Sequence, residues 1–72
     1  MPNIIIKISK GEAKWFAECE WLDIYAVGDS ASSAILEFGK LFAHFMQHYT
    51  TIDPANISSR AHQLKRRFEE FG

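Results

Sequence analysis

Cysteine occurs once in this sequence, at Cys19, and that scarcity removes two common ways of holding a small chain together. One thiol forms no disulfide within its own chain, and a zinc site built on several cysteines is excluded. Proline occurs twice and glycine four times, and no linker or low-complexity tract is present. No apolar run approaches the ~20 residues of a membrane span. The run Ile4-Ile5-Ile6 is broken at once by Lys7. No secretory leader is expected, and a lone thiol suits a reducing cytosol, so the expected location is cytoplasmic. A Gly-rich phosphate loop, a nucleophile–base pair and a paired-carboxylate motif are all missing. Enzymatic chemistry is therefore not expected, and neither is a cofactor.

Charge of one sign is also lacking. The net charge is −1, which exerts no global pull on nucleic acid. Its distribution is uneven. Residues 1–56 carry four Lys against seven Asp or Glu, for −3, whereas residues 57–72 carry Arg60, Lys65, Arg66 and Arg67 against Glu69 and Glu70, for +2.

Apolar material is plentiful. The chain is 47% hydrophobic, with six Phe and two Trp in 72 residues. That length means one domain, 1–72. Domains of this size bury only ~60% of their unfolded surface. With no covalent staple, subunit association is the expected extra source of stability, and a homo-oligomer, dimer or higher, follows.

The pattern along the chain predicts an α+β fold. Ile4-Ile5-Ile6-Lys7-Ile8 reads as a first strand and Ser9-Lys10-Gly11-Glu12 as a turn. In the next stretch Trp15, Ala17 and Cys19 point one way and Phe16, Glu18 and Glu20 the other, as in a second strand paired in a hairpin. Trp21-Leu22-Asp23 is a tight corner, and Ile24-Tyr25-Ala26-Val27 a third strand. Gly28 is the residue able to take a positive φ at the following corner. Asp29 or Ser30 caps the helix that follows. Within that helix Ala34, Ile35, Phe38, Leu41, Phe42, Phe45, Met46 and Tyr49 recur at three- and four-residue steps. Gly39 inside it offers room for close approach to a strand or partner. Thr50-Thr51-Ile52 reads as a short edge strand, and Asp53-Pro54 as the opening of a second helix. There Ile57, Ala61, Leu64, Phe68 and Phe71 form a narrow apolar seam. The expected architecture is a three- to four-stranded antiparallel sheet with one helix across it and a second C-terminal helix. Ile57, Leu64, Phe68 and Phe71 are the expected oligomer contact.

The order strand, turn, strand, corner, strand, Gly-Asp-Ser, amphipathic helix resembles the HicB-like antitoxins. Trp15-Phe16-Ala17-Glu18-Cys19 and Gly28-Asp29-Ser30, with Ala34 four residues on, carry the likeness, which spans about residues 4–49. Glu20-Trp21-Leu22-Asp23 stands where that family has a Pro-rich corner. The resemblance implies a cytoplasmic, non-catalytic interaction domain that binds a small basic RNase toxin and covers its active surface. The DNA-binding module that many relatives append is not expected here, and neither is autorepression by this chain alone.

Five residues around the second strand are the candidate partner site: Glu18, Glu20, Trp21, Asp23 and Tyr25. Carboxylates naturally block a basic RNA-binding surface, and aromatics anchor interfaces. The plain alternative is a solvated sheet face. Arg60, Lys65, Arg66 and Arg67 could instead grip phosphates, which makes a small nucleic-acid-binding adaptor the second reading. Glu69 and Glu70 dilute that field, and Arg66 is placed to pair with Glu70. His44 and His48 share a helix face, but Phe45 occupies the position where a metalloprotease helix carries its Glu, so no metal is expected. Cys19 lies between Glu18 and Glu20, not in the electropositive setting a reactive thiolate needs, and reads as structural.

Overall fold

The computed structural model describes residues 4–70. Three strands, β1 (Lys7–Lys10), β2 (Trp15–Cys19) and β3 (Ile24–Gly28), form an antiparallel sheet in the order β1-β2-β3. Helix α1 (Ala31–Thr51) crosses one face, a single 3-10 turn follows at Pro54–Asn56, and α2 (Ser59–Glu69) ends the described chain. This is the expected α+β arrangement, with three strands. No helix among the described residues is long and apolar enough to cross a membrane.

Strand β1 begins later than its β-branched run. Lys10 pairs with Trp15, and Ile8 with Ala17. Continuing the register would set Ile6 against Cys19, where β2 ends. Beyond it lies the corner, and residues 4–6 join no ladder among the described residues despite their β propensity. Ile4 packs on the core, whereas Ile5 is 81% exposed.

The β2–β3 corner depends on Asp23. Its φ is +57°, a left-handed conformation that Asp and Asn tolerate better than most residues, and its N–H donates to the Glu20 carbonyl at 3.1 Å. Leu22 is thereby turned into the core, at 1% exposure.

The role of Gly28 differs from the expected one. Among the described residues no glycine has positive φ. A Cβ on Gly28 would lie 2.4 Å from the Ala34 N and 2.7 Å from the Ser33 carbonyl carbon. Glycine is required there because the α1 backbone runs directly over the end of β3. Ser30 is the N-cap, its hydroxyl accepting from the Ser33 N–H at 3.1 Å. Asp29 leaves the cap and pairs instead with Lys14. Gly39 approaches nothing: the space its Cβ would enter is open.

A 21-residue helix is about 31 Å long, while five-residue strands span only about 17 Å. The N-terminal half of α1 therefore covers the sheet through Ala34 and Phe38, and its C-terminal half projects beyond it. Ile35, placed in the apolar stripe by its spacing, is 49% exposed. Thr50 and Thr51 extend the helix and form no strand; their hydroxyls donate back to the carbonyls of Met46 (2.7 Å) and Gln47 (2.8 Å).

Helix α2 covers the projecting half. Asp53 does cap a turn, accepting from the Ala55 N–H at 3.0 Å. However, Ile57 is extended and α2 starts afresh from Ser58, whose hydroxyl accepts from the Ala61 N–H. The Phe68 ring stacks on Tyr49 at 5.3 Å and meets Phe42 at 5.9 Å. Phe68 is fully buried and Leu64 is 5% exposed. Leu64 and Phe68, expected at an oligomer contact, pack on α1 of their own chain, whose overhang gives them a surface. Ile57 is half-buried at the approach to α2, and Phe71 lies outside the described residues. The ion pair of α2 is Lys65–Glu69 at 3.3 Å, not Arg66–Glu70.

Candidate functional site

Helix α1 covers one face of the sheet, and among the described residues no element covers the other. Alternation along β2 and β3 buries Ala17, Cys19, Ile24 and Ala26 under the helix and turns the intervening residues outward. The register sets Lys7 beside Glu18 and Glu18 beside Tyr25, with a second row of Ser9, Phe16 and Val27. Phe16, Tyr25 and Val27 are 38%, 55% and 50% exposed. An aromatic and β-branched patch of this kind on an uncovered sheet face is unusual in a solvated surface.

Glu18 lies beside Tyr25 in the register, and the charges of Glu20 and Asp23 also reach its phenol. Its pKa is raised above the ordinary value by partial desolvation and then by the negative charges of Asp23, Glu20 and Glu18, with Arg60 opposing. The carboxylates come from three places: Glu18 from β2, Glu20 from its end and Asp23 from the corner. Only the hairpin register brings them together.

Trp21, the fifth predicted site residue, marks the end of this patch. Its carbonyl accepts from Arg67 Nη1 at 2.7 Å, and the Arg67 guanidinium lies 5.6 Å from its ring centroid. This contact ties the end of α2 to the β2–β3 corner across 46 residues of sequence. A groove of about 720 Å³ opens here, walled by Ile5, Lys7, Glu18, Glu20, Trp21 and Arg67.

Sequence reasoning missed Phe16, Val27 and Ile5 as members of the surface. Phe16 was legible from its alternation with Glu18 and Glu20. Val27 and Ile5 required the register. Arg67 gave no local signal, since its partner is a backbone carbonyl in the corner.

The cationic side of α2 is partly consumed by the fold. Lys65 donates to the Tyr49 carbonyl at 3.1 Å and Arg67 is held on Trp21. Arg60 and Arg66 remain exposed. His44 and His48 lie exposed on α1, edge-on to Phe45 and Tyr49 respectively. Among the described residues no group of three or more His, Cys, Asp or Glu is arranged to hold a metal ion. Cys19 is 2% exposed, beneath α1. The chain matches no known family model, no curated protein and no solved structure.

Proposed function

We propose that this chain is a non-catalytic interaction module of antitoxin type, which docks a small basic RNase on its open sheet face and works by occlusion in the cytoplasm. The observation that carries the reading is the convergence of Glu18, Glu20 and Asp23 on Tyr25 beside exposed Phe16 and Val27. Apolar anchors flanked by three carboxylates suit the cationic surface of an RNA-binding partner: the aromatics supply desolvated contact, and the carboxylates meet the cations that would bind phosphate. The HicB-like resemblance of residues 4–49 points to the same class. The reading of α2 as a nucleic-acid adaptor draws less support, because Lys65 and Arg67 are engaged within the chain.

The test uses the full chain as bait in extract of the cells that encode it, beside a Glu18→Lys/Glu20→Lys variant. The natural chain is expected to retain a small basic protein that is released at about 1 M salt, where charges are screened beyond roughly 3 Å. The variant binds it at least about tenfold more weakly, and the partner's RNA cleavage stops at one chain per nuclease. A partner held equally by both baits, cleavage that continues at saturation, or retention of nucleic acid alone overturns the proposal.

A further inference from the structure

The sheet has two edges, and they are guarded differently. Strand β1 carries Lys7 and Lys10 within four residues, a common protection against edge-to-edge pairing. Strand β3 reads Ile24-Tyr25-Ala26-Val27-Gly28, with no charge and no proline. Among the described residues, no backbone hydrogen bond from outside the sheet reaches it. An uncharged, apolar, unpaired edge is a template for another strand.

We infer that β3 pairs with β3 of a second copy, antiparallel about a two-fold axis through Ala26, joining two three-stranded sheets into one of six strands. The occupant follows from the strand's self-complementarity. Residues opposite each other in an antiparallel pair share a face, and centring on Ala26 is the register that pairs all five residues of β3 with all five of its copy. On the open face Tyr25 falls opposite Val27 of the partner subunit, an aromatic against a β-branched side chain. On the helix face Ile24 falls opposite Gly28 of the partner subunit, large against small. No charge within the strand opposes a like charge. The edges left after pairing are the two β1 strands with their lysines, so assembly closes at two copies and does not run on as a fibre. Edge pairing leaves the open face uncovered, so a dimer presents two acidic patches on one continuous surface.

The test is the mass of the full chain in solution over about 1–300 µM, with no docking partner present, so its failure is separate from failure of the docking proposal. The expected mass is twice the 8.3 kDa of one chain. A Tyr25→Lys/Val27→Lys variant places like charges opposite each other twice across the axis and weakens the dimer at least about tenfold. A Tyr25→Lys/Val27→Glu variant, equally charged in magnitude, restores it. Circular dichroism checks that both variants fold. Amide exchange of β3, slowing with concentration in the natural chain, gives a readout that needs no variant. A wild-type monomer throughout, a Lys/Lys variant that stays dimeric, a Lys/Glu variant as dissociated as Lys/Lys, or β3 exchange independent of concentration overturns the inference.

Discussion

Two glycine-to-alanine changes in adjoining elements should act with opposite sign, and the structure sets both magnitudes. At Gly28 the new methyl would lie 2.4, 2.7 and 2.9 Å from the Ala34 N, the Ser33 carbonyl carbon and the Ala34 Cα. All three are backbone atoms in the first turn of α1, so no side-chain rotation relieves them. Either α1 lifts from β3 or the strand end bends, which loosens the packing of Ala34 and Phe38, 0% and 4% exposed. Overpacking of this kind costs about 1–3 kcal/mol, and immovable backbone places Gly28→Ala at the upper end. A chain of 72 residues has roughly 4–11 kcal/mol of total stability. A loss of ~3 kcal/mol lowers the melting temperature by roughly 12–24 °C. At Gly39 nothing lies within 4 Å of the added methyl, so Gly39→Ala retains only the helix-propensity gain of ~1 kcal/mol and raises stability. Urea unfolding followed by circular dichroism at 222 nm measures both. Gly28→Ala within ~0.5 kcal/mol of wild type would refute the close approach of β3 and α1, and a destabilising Gly39→Ala would refute the open helix face.

Two further predictions concern single carboxylates. Asp23→Gly should leave stability unchanged or raise it, while Asp23→Val should cost about 1–2 kcal/mol, because a β-branched residue is penalised at φ +57°; equal unfolding midpoints for the two variants would contradict the left-handed corner. The Asp29 pKa is lowered by its hydrogen bond from Lys14 and by the Lys14 charge, so this carboxyl contributes stability above its unfolded pKa, and the contribution fades as pH falls through the lower folded value. Asp29→Asn should therefore differ from wild type most at neutral pH and converge with it in acid, and an Asn variant whose deficit persists unchanged in acid would contradict the pairing.

Much of the secondary structure was readable because side-chain direction is a local property. The alternation from Trp15 to Glu20 and the three- and four-residue spacing from Ala34 to Tyr49 state which residues face together, and the structure buries Ala17, Cys19 and Phe38 accordingly. The acidic cluster was readable for the same reason, since Glu18, Glu20 and Asp23 sit on the same hairpin as Tyr25 and their charges reach it. Local readings failed where a distant element was the cause. Residues 4–6 have strand propensity but lie outside the ladder, and Thr50 and Thr51 complete the last turn of α1 despite their β-branched character.

By itself, the amino-acid order determined an α+β chain with a three-stranded meander, a long amphipathic helix and an apolar seam after it, because periodicity needs only near neighbours. Tertiary structure alone decided what each face meets. It directed Leu64 and Phe68 inward, because α1 is longer than the strands beneath it and its overhang must be covered. It made Gly28 a point of contact, drew Arg67 across 46 residues to Trp21, and left β3 with an unguarded edge. Contacts between distant segments depend on lengths, register and crossing of whole elements, and no short window of sequence contains those quantities.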